Sequence, residues 1–271
     1  MANKSTHKPL VAPPSSTPDH TYRGLRNFNL GMGVLHLVQG ILMIAISNDT
    51  TYPIYTFFLS LNIEARTLEP DPQLWYELPF GIAVSIFLLI SAVAHFYLGT
   101  IGYNRYVNNL KLGMNPIRFY EYALSSSWMI VLIGMLVGVW DLGALILMFG
   151  INATMNLFGI MMETHNQYTT KVNWTSFIYG CIAGIIPWIV IIVYFTGSLS
   201  GAEAKPPTFV YAIIPTIFVF FNIFAINMLL QYKQVGPWKN YLFGERVYIV
   251  LSLLAKTALA WMIWVGTLAP V

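Results

Sequence analysis

The stretch Ser252-Leu-Leu-Ala-Lys256-Thr-Ala-Leu-Ala-Trp261 decides how the chain is read. It lies inside an almost uninterrupted apolar run from Val247 to Val271, with one lysine near the middle. An ammonium at the centre of a bilayer-spanning helix costs about 2.5 to 3.5 kcal/mol on insertion scales, so an intramembrane lysine marks a functional position. Lysine is also the side chain that condenses with a carbonyl to form a Schiff base. The plainer alternatives are snorkelling to an interface, or structural pairing with a buried acid. Snorkelling reaches only a turn or two, whereas Lys256 lies roughly 15 Å from each end of the run at helical rise.

Outward from that helix the composition agrees. Hydrophobic residues make up 56% of the 271 and charged residues 9%, against roughly 25% charged in a soluble domain. This is the composition of an integral membrane protein. The net charge of +3 comes from the loops and carries no nucleic-acid signal, and the single Cys181 excludes an internal disulfide. Apolar windows of about 20 residues, the length that crosses the hydrocarbon, fall at Leu25 to Ile46, Leu78 to Ile101, Ile117 to Trp140, Leu142 to Met162, Trp174 to Phe195, Thr208 to Leu230 and Val247 to Leu268. The expectation is an all-α bundle of seven transmembrane helices: one membrane domain over residues 23–271, after a polar, proline-containing tail, 1–22, expected to be disordered and without a signal-peptide core.

Orientation follows from lysine and arginine in the short loops. With the N-terminus cytoplasmic, the inner side collects Lys4, Lys8, Arg23, Arg26, Arg105, Lys111, Arg118, Lys171, Lys233, Lys239 and Arg246, and the outer side only Arg66 and Lys205. The C-terminus is then extracellular. One outer connection is long: residues 47–76 contain Thr51-Tyr52-Pro53-Ile54-Tyr55-Thr56-Phe57-Phe58, β-branched and aromatic, then the turn-forming Glu69-Pro70-Asp71-Pro72. This predicts a β-hairpin in the first extracellular loop, able to cover a pocket or mediate contacts between two copies, or serving only as packing.

Polar residues inside the spans supply the candidate site. Glu121 is the only acid within the windows, and a buried lysine or an iminium built on it needs a charge partner. Its position near the start of the third span also suits a helix dipole without further function. Ser252 precedes Lys256 by four residues and Ser125 follows Glu121 by four, each sharing a helix face with a charge; serines in membrane helices also bond their own backbone. His36, Gln39 and His95 point to a hydrated polar cavity on the inner side, and two histidines with no Cys or second acid nearby do not make a metal site. Asn152, Asn156, Asn222 and Asn227 extend such a network or bond between helices. Trp188, Phe218, Phe220, Phe221 and Phe224 crowd the fifth and sixth spans, as lipid-facing packing or as walls for a long apolar ligand.

Seven spans with a midspan lysine in the last resemble retinal-binding rhodopsins, and the inverted orientation narrows the resemblance to heliorhodopsins. Arg118 to Met129, Phe220-Phe221-Asn222, Gly244-Glu245-Arg246 and Ser252 to Trp261 all look like that family, and the similarity covers the chain after its tail. The resemblance implies all-trans retinal covalently bound to Lys256, Glu121 as counterion, Ser252 and Ser125 near the Schiff base, Met129, Asn152, Trp188 and Phe221 around the chromophore, and His36 and His95 in the inner cavity. It also implies a homodimer among membrane lipids. Pumping rhodopsins resemble one another in an acid four residues before the lysine, where this chain has Ser252, and outward proton pumps in an acid eleven beyond the counterion, where it has Leu132. The expected function is therefore light sensing, not enzymatic turnover, read by a cytoplasmic partner. Light-driven ion transport and a retinal-free transporter or lipid enzyme are the alternatives.

Overall fold

The computed structural model describes residues 10–200 and 208–269. Helices run α1 Asp19–Ile46, α2 Phe80–Gly99, α3 Tyr103–Lys111, α4 Pro116–Leu136, α5 Leu142–His165, α6 Thr175–Ser200, α7 Thr208–Tyr232 and α8 Tyr241–Ile263, the last continuing as a π-helical turn over Trp264–Leu268. All but α3 are long and apolar enough to cross a membrane. A two-stranded antiparallel sheet, β1 Thr51–Asn62 and β2 Thr67–Pro79, fills the first long loop. The fold is the expected seven-span rhodopsin-like bundle with a hairpin.

Helix starts have local causes. Asn115 caps α4, its Oδ1 accepting from Arg118 N at 3.3 Å, and Pro116 occupies the first turn, where a missing N–H costs nothing. Asp141 and Asn240 cap α5 and α8 in the same way, through Ala144 N and Leu242 N. The cap at Asn240 starts α8 six residues before Val247, and α5 runs beyond Met162 to His165, so both helices are longer than their apolar windows.

Of the expected tail, only residues 10–22 are among those described. Helix α1 begins at Asp19, Tyr22 and Val11 are buried, and Gln234 Nε2 donates to the Leu10 carbonyl at 2.8 Å. Gly113, at φ +69°, lets the α3–α4 turn pass against the backbone of Val11 and Ala12, where a Cβ would stand 3.1 Å from Ala12 N. Residues 1–9, including Lys4 and Lys8, and Lys205 lie outside the described residues.

Around the bundle α1 packs on α2, α2 on α4, α4 on α5, α5 on α6, α7 on α8 and α8 back on α1, while α6 and α7 meet least closely. Two apolar cores stack along the axis. The one at the hairpin end, with Met43, Phe80, Phe87, Leu132, Ile133 and Ile263, is fully enclosed. The other, around Leu25, Tyr106, Leu110, Met162 and Tyr241, closes the end that carries α3 and most basic residues. The hairpin is anchored to the helices at its base, where Tyr55 N donates to Trp140 O at 2.8 Å and Tyr52 packs on Phe80, and its distal half is exposed.

Candidate functional site

Lys256 and Glu121 meet between the two cores. Nζ donates to Glu121 Oε1 at 2.8 Å and to Ser252 Oγ at 2.8 Å, and Ser91 Oγ donates to the same Glu121 oxygen at 2.6 Å. The lysine is 3% and the acid 8% exposed. Two opposite charges that close in a low-dielectric interior compensate each other's desolvation only because the geometry is this good. Ser252 reaches the lysine because it stands one turn away on α8. Nothing in the sequence marks Ser91 of α2; only the packing of α2 on α4 brings it to Glu121.

The other candidates divide. Ser125 Oγ is buried beside this pair without a hydrogen-bond partner, as are both ring nitrogens of His36. The His36 and His95 rings stack with centroids 5.5 Å apart, and His95 Nδ1 lies 2.8 Å from Asn29 Oδ1. Gln39 does not join them: its Oε1 accepts from Trp261 Nε1 at 3.0 Å and its amide nitrogen donates to Leu35 O, because three residues' rotation from His36 turns it towards α8. Asn152 Nδ2 donates to Ser126 and Ser127, and Met129 sits in the enclosed core. Asn222 Nδ2 donates to Phe218 O of its own helix, and Asn227 accepts from Trp238 Nε1 and donates to Gly244 O.

An apolar cleft opens at the loose seam of α6 and α7. Trp188 and Phe221 line it with Phe218, Met155 and Phe224, Trp188 meeting Phe218 and Phe221 edge-on at 5.1 and 5.6 Å. Tyr122 forms its inner wall, and the Tyr122 ring centroid is 5.2 Å from Lys256 Nζ.

Glu121 is not the only buried acid. Arg118 pairs with Glu163 of α5 at 2.5 Å and with Glu245 of α8, all three 5% exposed or less. Asn115 Nδ2 donates to Glu245 Oε1 at 2.7 Å and its backbone N to Glu163 Oε2 at 2.7 Å; Tyr241 and Tyr106 hydroxyls donate to Glu163 and Glu245. Tyr248 covers the guanidinium at 3.9 Å. Burial, then the Glu245 carboxylate, pushes the Tyr106 phenol well above the ordinary tyrosine range, so it remains a donor. A small polar cavity lined by Asn29, His95, Glu121, Ser252, Arg118 and Glu245 joins this cluster to the lysine pair. Glu163 falls one residue after an apolar window and Glu245 two residues before one, and Arg118 reads as a loop cation. The available signal was the cap at Asn240, which puts Glu245, Ser252 and Lys256 on one helix face at intervals of seven and four.

A basic and an acidic side chain buried in the bundle, next to an aromatic cleft, suit a positively charged nitrogen carrying a long apolar group. Comparison with curated proteins gave no match. The family model described as Heliorhodopsin matches residues 25–268, from the first buried leucine of α1 to the end of the last turn, and the chain therefore belongs to the heliorhodopsins, a family of retinal-binding membrane rhodopsins.

Proposed function

We propose that the protein is a light sensor in which Lys256 carries all-trans retinal as a protonated Schiff base and Glu121 is the counterion. The observation that carries this reading is the buried contact of Lys256 Nζ with Glu121 and Ser252. The residues present fit the chromophore: the cleft wall begins at Tyr122 beside the amine and continues to Trp188 and Phe221. Bound retinal would supply visible absorption and a light-driven isomerisation. Glu121 holds the positive charge in the dark, and Ser91 and Ser252 fix the carboxylate and the nitrogen. His95, which lines the polar cavity and is hydrogen-bonded to Asn29, would be the group that receives a proton released from that nitrogen, with the His36 ring stacked on it.

In this reading the basic end faces the cytoplasm, following the lysine and arginine bias of the loops. Output is a shift in a two-state bundle, read by a cytoplasmic partner. A homodimer completes the reading, and Phe58, Leu61 and Ile63 at the exposed hairpin tip suit contact with a second copy. Reconstitution with all-trans retinal tests the site: a visible band is expected for the protein, none for Lys256→Ala, and a displaced band for Glu121→Gln. A band that survives Lys256→Ala moves the attachment elsewhere; a band unmoved in Glu121→Gln excludes that counterion.

A further inference from the structure

Glu121 touches two different environments. With Ala94 and Ile117 it forms the partition between the internal polar cavity and a groove on the outside of the bundle between α2 and α4. The groove, about 600 Å³, is walled by Ile86, Leu89, Ile90, Val93, Tyr120 and Leu124, and Val93, Tyr120 and Leu124 are exposed on its rim. On a membrane-spanning surface this volume belongs to lipid, and it far exceeds the roughly 30 Å³ share of one water. Such a groove is ordinarily apolar throughout; this one has a carboxylate in its wall.

That carboxylate has unused capacity on one side. Lys256 Nζ and Ser91 Oγ both bond Oε1, the buried Ser125 hydroxyl also lies within reach of the carboxylate, and Oε2 is not among the sealed, unpartnered polar atoms. A carboxylate accepts about four hydrogen bonds. Along the groove the level of Glu121 is that of Val93 and Ala94, about one turn inside Tyr97 and Ile117, and the apolar walls of Ile86, Leu89, Ile90 and Leu124 continue deeper. An occupant matched to this arrangement has one hydrogen-bond donor at its head and an apolar body extending towards the membrane centre. A phospholipid, with its phosphate and larger headgroup held at the interface, does not match.

We propose that the α2–α4 groove binds a single-chain or isoprenoid lipid bearing one hydroxyl, which donates to Glu121 Oε2 from the membrane side. The groove then couples membrane composition to the charge beside Lys256. This rests on Glu121 being the counterion only for its optical consequence; binding itself does not require retinal.

Two readouts separate those parts. Retinal-loaded protein in nanodiscs is titrated with 1-dodecanol, with dodecyl methyl ether, which cannot donate, and with dodecane, while the visible band is followed. In parallel, retinal-free protein is titrated and the carboxylate stretch of Glu121 is followed by infrared difference against Glu121→Gln. Dodecanol is expected to move both signals saturably, and the ether and alkane neither. Val93→Trp, a lipid-facing change that covers the groove, is expected to raise the half-saturating concentration about tenfold or more, a loss of about 1.4 kcal/mol. Equal responses to alcohol and alkane, an unshifted carboxylate, or a titration unchanged in Val93→Trp would each overturn the proposal. A protein with no visible band but an alcohol-dependent carboxylate shift would keep the groove and remove the chromophore reading.

Discussion

At the scale of single residues, two ionic contacts tie the same pair of helices with opposite polarity. Helix α4 carries Arg118 and Glu121, and α8 carries Glu245 and Lys256. The Arg118 cluster holds two acids against one base, and its neutral donors, Asn115, Tyr106 and Tyr241, compensate the second carboxylate. Removing one partner of a buried pair leaves a charge without compensation, which costs about 3–5 kcal/mol. Arg118→Gln is therefore expected to lower the unfolding free energy by about that amount in equilibrium unfolding from mixed micelles. A loss below about 1 kcal/mol, the range of solvated pairs, would mean that water reaches the cluster. The lysine, the acid at 121 and the serine at 252 were legible in the sequence because each is a polar residue in an apolar window. Glu163 and Glu245 were not, since they stand where a window ends and burial there depends on what covers the helix end.

At the scale of elements, close helix approach depends on particular glycines. Gly159 on α5 faces the Phe119 ring of α4, and a Cβ there would overlap the ring; Gly150, further along the same helix, has no atom within 4 Å of the corresponding position. Overpacking of this kind costs about 1–3 kcal/mol. Gly159→Ala is expected to lower thermal stability by that order and Gly150→Ala to leave it unchanged or raise it slightly through the better helix propensity of alanine, a contrast that scanning calorimetry of the two variants checks. Equal effects would mean that helix propensity, not the α4–α5 contact, dominates. The hairpin was legible from its β-branched and aromatic run and its turn residues. The short helix α3 was not: Tyr103–Lys111 has no apolar window, and it is held by Tyr106 and Leu110 entering the core at the basic end.

At the scale of the whole molecule, polarity is one-sided. The polar cavity joins Lys256 to the basic end, whereas towards the hairpin the interior is filled by Met43, Phe87, Met129, Leu132, Ile133 and Ile263. A vectorial pump needs exchangeable groups on both sides of the lysine, so illumination of cells expressing the protein is expected to give no sustained change in external pH and no steady photocurrent. A sustained flux that disappears in Glu121→Gln would establish the transporter alternative. Span number, the midspan lysine, its candidate acid and the hairpin were determined by the sequence alone, because hydrophobic length, local periodicity and an isolated charge in an apolar run are properties of contiguous residues. Only the tertiary structure decided that Ser91 serves Glu121, that Gln39 turns to Trp261 and that Arg118 is buried between Glu163 and Glu245. Those contacts depend on how far each helix is rotated and how deep it sits against its neighbours, and that is set by side-chain packing between segments far apart in the chain.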